Sequence, residues 1–287
     1  MPLIQWFPGH MAKAKREIKE KLNLVDVVIE LRDARIPLSS KNPMVDEIVG
    51  NKPRLIILNK AKMADSKVTK LWIDQLSKDN VIALDIDCNT GYNINKVIPY
   101  IKEVLKEKIT NDIKRGKKTT LIKGLVIGIP NVGKSTFINT LSKRKVAKVG
   151  DKPGVTKSQT WIKITDELQI LDTPGILWPK FEDQAVGIKL SICGSIKDEI
   201  VDLGNVSFEA LKYMIRLYPD LLAKRYDLDI LDFKDKEDIE ICDMIALKRG
   251  CLIKGGEVDY ERVFTLIIND IRNVRIGAMS FEKPGEC

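Results

Sequence analysis

An α/β protein with a predominantly parallel sheet, followed by a small all-helical domain, is predicted by three features of the sequence. Short β-branched runs alternate with helix-period segments as far as Asp172, one run ends in a glycine-rich turn that opens a helix, and beyond Trp178-Pro179 only helical periodicity continues. The chain has 287 residues, 44% hydrophobic and 31% charged, which excludes a disordered tail or a collagen-like rod. Domains of about 100–200 residues are the norm, so the length suits two units.

The elements follow in order. From Met11 to Leu22 the chain is lysine-rich with helically spaced apolar residues, and Val25 to Leu31 then switches to a β-branched run. Arg54 to Leu58 follows Pro53 as a second strand, Ser66 to Lys78 reads as a helix, and Val81 to Leu84 is a third strand. A helical pattern spans Ile94 to Ile109, and Asn111 to Thr120 reads as a polar, basic connector. Gly124 to Ile129 is apolar enough for a central strand. Thr160 to Ile164 and Leu168 to Leu171 complete about six strands. Helical patterns at Phe181 to Leu190, Ser207 to Leu217, Glu237 to Arg249 and Asp259 to Ile271 then place the boundary near residue 182, with domains at 1–182 and 183–287.

Composition narrows the setting. Lys plus Arg number 48 against 40 Asp plus Glu, a net +8 whose placement says more about an anionic partner than its size does. Five cysteines, Cys88, Cys193, Cys242, Cys251 and Cys287, are widely spaced without a CxxC pair, which argues against a disulfide framework or zinc site. Met1 to Trp6 has no basic region leading into an apolar run, and no stretch reaches the roughly 18 apolar residues of a bilayer span. A cytoplasmic protein without a membrane partner is expected.

The sharpest chemical signal is Gly128-Ile129-Pro130-Asn131-Val132-Gly133-Lys134-Ser135, a match to GxxxxGK(S/T) where a strand becomes a helix. Its glycines let the backbone wrap around phosphates, amide hydrogens and the helix N-terminus supply donors, Lys134 adds a point charge, and Ser135 ligates magnesium. Pro130, Asn131, Val132, Gly133, Lys134, Ser135 and Thr136 are therefore nucleotide-binding candidates. Downstream, Asp172-Thr173-Pro174-Gly175 ends a strand, so that Asp172 reaches the metal directly or through water and Gly175 turns an amide toward the γ-phosphate. Thr156, in a polar loop with six basic residues from Lys143 to Lys157, suits a switch that completes the magnesium shell.

For the base, Asn59-Lys60 at a strand end stands where NKxD would, but the fourth residue is Lys62, which has no acceptor for the guanine edge. Asp65 is the nearest substitute carboxylate, and backbone groups are the other option. The loop containing Asp87 and Cys88 would close over the base. The base elements thus precede the phosphate loop, the reverse of the Ras-like order, which looks like a circularly permuted GTPase.

With that order, the chain resembles the bacterial ribosome biogenesis GTPase A family, also called RbgA or YlqF. The likeness covers nearly the whole chain, from Gln5-Trp6-Phe7-Pro8-Gly9-His10-Met11-Ala12-Lys13 through Asp33-Ala34-Arg35-Ile36-Pro37 to Lys248-Arg249-Gly250-Cys251 and Gly255-Gly256. The resemblance implies a GTP/GDP-binding, magnesium-dependent GTPase acting late in assembly of the large ribosomal subunit, slow alone and stimulated by the ribosomal particle. Its implied partners are the subunit precursor, ribosomal RNA and ribosomal proteins, and a monomer is expected. Ile176 stands where Ras-like enzymes carry a water-orienting glutamine, and the resemblance implies that His10, the sole histidine, takes over that task. Taken by itself, His10 reads as a surface or structural residue before a catalytic one. Asn131 matches an asparagine that helps hold a potassium ion in related GTPases, although asparagine also simply tolerates turn backbone.

Basic residues cluster at Lys114, Arg115, Lys117 and Lys118, at Lys143, Arg144, Lys145 and Lys148, and at Lys248, Arg249, Lys254, Arg262, Arg272 and Arg275. Such patches suit RNA phosphates, although a solvated face is the plainer reading, and the resemblance favours RNA at the third cluster. The acidic stretch Asp227 to Glu240 separates the patches, while Trp6, Phe7 and Trp178 read as sheet-packing residues before RNA-stacking ones. An ATPase or phosphotransferase with relaxed base specificity, and an RNA-binding nucleotide switch with negligible turnover, are the competing accounts.

Overall fold

The computed structural model describes residues 19–78, 81–117, 119–144, 146, 160–172 and 183–285. His10, Thr156, Gly175, Trp6, Phe7, Ile176, Trp178, Lys118, Lys145, Lys148 and Cys287 lie outside them. Six strands form one sheet in the order β3-β2-β1-β4-β6-β5. They are β1 (Val27–Asp33), β2 (Arg54–Asn59), β3 (Val81–Asp85), β4 (Ile122–Gly128), β5 (Thr160–Lys163) and β6 (Leu168–Asp172). All neighbours run parallel except the β5–β6 hairpin at one edge.

Position in the sheet explains composition. The first strand is buried along all seven residues, because helices and loops cover both faces of a parallel sheet. Its charged residues are internally paired: Arg32 Nε lies 2.7 Å from Glu30 Oε1, and Arg54 Nη1 reaches Glu30 Oε2 at 3.2 Å. The antiparallel edge strand β5 leaves Trp161 more than one-third exposed, with the Lys123 ammonium 5.5 Å from its ring centroid.

Residues 19–22 are helical, and the sheet half further contains α1 (Met44–Val49), α2 (Ser66–Leu76), α3 (Val97–Val104), α4 (Lys106–Lys114) and α5 (Lys134–Ser142). The Ile94 to Ile109 pattern divides at Leu105 into α3 and α4. Contrary to the connector expectation, Asn111 to Lys114 is helical. Its polar residues mislead because Asp112 serves the turn that follows, accepting from Lys117 Nζ at 2.8 Å and Thr120 Oγ1 at 3.2 Å.

The second half is helical as far as Arg272, apart from short connections and one isolated bridge between Leu252 and Val258, and residues 273–285 form no helix. It contains α6 (Gln184–Ile192), α7 (Leu203–Leu217), α8 (Pro219–Tyr226), α9 (Asp232–Asp235), α10 (Asp238–Arg249) and α11 (Tyr260–Arg272). Carboxylate caps set the starts: Asp183, Asp202 and Asp259 accept from first-turn amides, and Glu237 with Glu240 forms a capping box. Asp202 therefore starts α7 four residues ahead of the expected Ser207. Pro219 at the first helical position begins α8, where its missing amide hydrogen costs no helix bond.

Val206, Leu211, Met214, Leu222, Tyr226, Ile245 and Ile267 are buried in the helical half and join one contiguous apolar cluster with Ile29, Leu31 and Val126 of the sheet. After Arg275 the chain turns back across the sheet half. Met279 N donates to Met63 O at 3.0 Å, Phe281 N to Arg35 O at 2.8 Å, and Trp72 Nε1 to Glu282 O at 3.1 Å. Residues 276–282 thus pack with the first half although they lie beyond the expected boundary, whose immediate surroundings at 173–182 fall outside the described residues.

Candidate nucleotide-binding site

The parallel strands end together at Asp33, Asn59, Asp85, Gly128 and Asp172, the edge where open α/β sheets bind ligands. The turn leaving β4 is shaped by contact as well as by flexibility. A Cβ on Gly128 would lie 2.7 Å from Leu31 O, and one on Gly133 would lie 2.4 Å from Asn59 Nδ2. Gly133 also has φ +100, so a side chain there is excluded twice. This close-fitting turn lies at the N-terminus of α5, where helix amide hydrogens without partners in the helix suit phosphate oxygens.

Lys134, the first residue of α5, is buried and donates from Nζ to Gly128 O at 3.0 Å and Ile129 O at 2.8 Å. Burial pulls its ammonium down to about 8, against the opposing pull of Asp172. Ser135 and Thr136 are half-buried in the first turn, and Pro130 and Val132 are buried in the loop. Asp172 is buried at the tip of β6, beside β4.

Asn59 joins three segments. Its Nδ2 donates to Val132 O of the phosphate loop at 2.8 Å, and its Oδ1 accepts from Cys88 N at 3.2 Å. Asp87 folds the last of these loops, accepting on Oδ1 from Asn89 N, Thr90 N and Thr90 Oγ1 and on Oδ2 from Lys62 N. Cys88 is buried, and burial followed by the neighbouring Asp87 charge pushes its thiol up to about 12, which leaves it unreactive. The structure thus brings Asn59, Asp87, Cys88 and the phosphate loop together.

Asp65, the candidate substitute acceptor, stands at the start of α2. It is the N-cap of α2, with Oδ1 accepting from Lys67 N and Val68 N and Oδ2 from Tyr218 Oη. A carboxylate one residue ahead of a helix meets its unpaired first-turn amides in this way.

Lys60 has φ +62, and its ammonium lies 3.0 Å from Asp33 Oδ2. Asp33 also receives Arg35 through Nε at 2.9 Å and Nη2 at 2.7 Å. Burial alone would raise this carboxyl, but Arg35 and Lys60 outweigh it and hold the group below the usual carboxylate range. The Asp33-Ala34-Arg35 segment was only a mark of resemblance in the sequence; charged residues at the end of a fully buried strand were the signal that it supports the site.

From this centre, bonds reach the helical half at the C-terminus of α6. Ser191 O and Ile192 O accept from Arg272, Cys193 O from Arg35 Nη2 at 3.1 Å, and Gly194 O from Asn131 Nδ2 at 3.0 Å. Helix-end carbonyls lack partners within the helix, so cationic and amide donors suit them. Asn131 has φ +57, which fits the turn-backbone reading of this residue as well. Arg272 is half-buried and pairs with Asp198, whereas Arg275 pairs with Asp270 at 3.3 Å and stays exposed. Lys254 and Arg262 are exposed, and Lys248 pairs with Asp227 on the surface.

Among the described residues no helix is long and apolar enough to cross a membrane. The family model described as 50S ribosome-binding GTPase matches residues 123–207. Ribosome biogenesis GTPase A of Bacillus licheniformis is 51% identical over 98% of this chain and 99% of its own, and that of Thermotoga maritima is 33% identical over 98% and 95%. The crystal structure of GNP-bound YlqF from T. maritima superposes with a TM-score of 0.65 at 29% identity, covering 96% of this chain and all of that one. These likenesses fix the fold as a circularly permuted GTPase domain followed by a helical region and set aside the metabolic phosphotransferase. With its base-side asparagine ahead of its phosphate loop and its relatives matched almost end to end, the chain belongs to the ribosome biogenesis GTPase A family and is a GTPase.

Proposed function

We propose that this enzyme hydrolyses GTP to control a late step in assembly of the large ribosomal subunit. The triphosphate orders the nucleotide site, that form binds pre-ribosomal RNA, and hydrolysis releases it. The observation that carries the reading is the α6 C-terminus, whose consecutive carbonyls from Ser191 to Gly194 accept from Asn131 of the phosphate loop, from Arg35 and from Arg272 of α11. A change at the phosphates is thereby one bond away from the helical half.

Ser135, Thr156 and Asp172 hold magnesium, which would neutralise charge on the phosphates when bound. The Gly128 and Gly133 contacts and the charge coupling of Lys134 with Asp172 support this assignment. Lys134 would transfer its hydrogen bonds from the loop carbonyls to phosphate oxygens, Gly175 N would meet the γ-phosphate, and His10 would orient the attacking water. Asn131, fixed through Nδ2, would offer Oδ1 to potassium, whose charge would serve where other GTPases use an arginine. Domains 1–182 and 183–287 act as nucleotide and RNA units, with the surface residues Lys248, Lys254 and Arg262 among the RNA contacts. The protein works in the cytoplasm as a monomer, contacts ribosomal proteins as well as RNA, and turns over slowly until the particle stimulates it.

The test is affinity for the large-subunit precursor with a non-hydrolysable GTP analogue and with GDP. Tighter binding with the analogue is expected; equal affinities would refute the switch, because a ligand without differential affinity shifts no equilibrium.

A further inference from the structure

The residue after Asn59-Lys60-Ala61 decides what this site asks of a base. Guanine presents an oxo group at carbon 6 and hydrogens on N1 and the 2-amino group, and reading the latter requires an acceptor. Lys62 occupies the place where NKxD enzymes carry that acceptor, and an ammonium offers donors only. Its Nζ lies 3.9 Å from the centroid of the Tyr92 ring, and its backbone N donates to Asp87 Oδ2 at 3.4 Å. It therefore stands beside the loop that Asn59 ties to the phosphate cradle.

The neighbouring carboxylates are committed elsewhere. Asp65 caps α2 and takes the Tyr218 hydroxyl, Asp87 takes amides of its own loop, and Asp85 Oδ1 takes Asn93 Nδ2 at 3.2 Å. Moving any of them toward a base would strip partners from buried or helix-end groups. On the donor side, Asn59 Nδ2 has two hydrogens and gives one to Val132 O. The remaining donor of Asn59 favours an oxo group over an amino group on a purine edge, and Lys62 supplies no acceptor that would reward an amino group at carbon 2.

We propose that the site selects purine nucleoside triphosphates by the 6-oxo group and is indifferent to an amino group at carbon 2, so that it accepts guanine, hypoxanthine and xanthine nucleotides as one class. Lys62 is the residue that sets this specificity. The inference rests on the nucleotide-binding reading of the Gly128 to Ser135 turn.

Equilibrium binding of magnesium-loaded GTP, ITP, XTP and ATP to the full chain tests it. GTP and ITP are expected within about threefold of each other, XTP at least as tight, and ATP weaker by about tenfold or more. Lys62→Asp should restore discrimination, with GTP tighter than ITP by about tenfold or more; Lys62→Glu supplies the same acceptor should the first variant fail to fold. A wild-type preference for GTP over ITP of about tenfold, ATP binding as tight as GTP, or an unchanged ratio in the folded carboxylate variants would overturn the proposal. Failure of all four nucleotides to bind would instead bring down the nucleotide-site reading, and this inference with it.

Discussion

Asn131 Nδ2 donates to Gly194 O across 3.0 Å, a side-chain bond from the phosphate loop to the turn that ends α6. Asn131 also holds φ +57, a conformation costly for most residues with a Cβ. The two properties separate by substitution. Asn131→Gly loses the bond but adopts the backbone freely, whereas Asn131→Ala loses the bond and adds strain. Urea unfolding should show Asn131→Ala less stable than wild type by about 2 kcal/mol and Asn131→Gly by about 1 kcal/mol. Equal losses would mean that the backbone conformation contributes nothing.

The parts of the site most legible in the sequence are those whose chemistry is local. The glycine-rich turn, Lys134, Asn59 and the sheet preceding Asp172 follow from spacing and β-branched runs, because phosphate wrapping and parallel strands each impose a short pattern. The capping role of Asp65 was less legible, because one carboxylate next to a helix start suits cap and ligand alike, and the Lys67 and Val68 amides show the cap only once the helix is placed. The returning segment 276–282 was invisible for a different reason: its partners Arg35, Met63 and Trp72 lie more than two hundred residues earlier in the chain. Arg272 looks like a surface charge in the sequence, because Asp198 and the two helix-end carbonyls that hold it lie more than seventy residues away along the chain.

The depressed ammonium of Lys134 gives a pH dependence with a definite sign. Burial takes it from 10.5 to about 8, so between those values the unfolded chain binds the extra proton. This group therefore opposes folding fully below pH 8, and its penalty is relieved as pH rises from 8 toward 10.5. Phosphate binding reverses the balance by favouring the charged form. GTP affinity should be level up to about pH 8 and fall by up to about tenfold toward pH 9 as each binding event takes up one proton. Calorimetry in two buffers of different ionisation enthalpy reports that proton directly. Level affinity and no proton uptake at pH 9 would show that Lys134 stays charged in the free protein.

Glu282 closes the chain onto the loop that follows Asp33 and Arg35. Its buried carboxylate accepts from Leu38 N at 2.7 Å, Ser39 N at 3.1 Å, the Ser39 hydroxyl and Lys189 Nζ at 3.3 Å, the last from α6. One side chain thus connects the returning segment, the sheet half and the helix whose end meets Asn131. Glu282→Gln keeps the volume but replaces an acceptor by an NH2 group facing several donors, and should cost about 2–4 kcal/mol in urea unfolding. Ser39→Ala removes a single donor and should cost about 1 kcal/mol. In a double-mutant cycle with Lys189→Met, a coupling of about 1 kcal/mol or more is expected, because the two side chains share a buried contact. Hydrogen exchange supplies the structural readout: loss of the carboxylate should speed exchange at Leu38, Ser39 and Phe281, whose amides border this contact, while the β1 amides stay protected. Acceleration spread equally through β1 would mean that Glu282 supports the whole sheet half, and an unaltered Phe281 amide would mean that the segment is held without it.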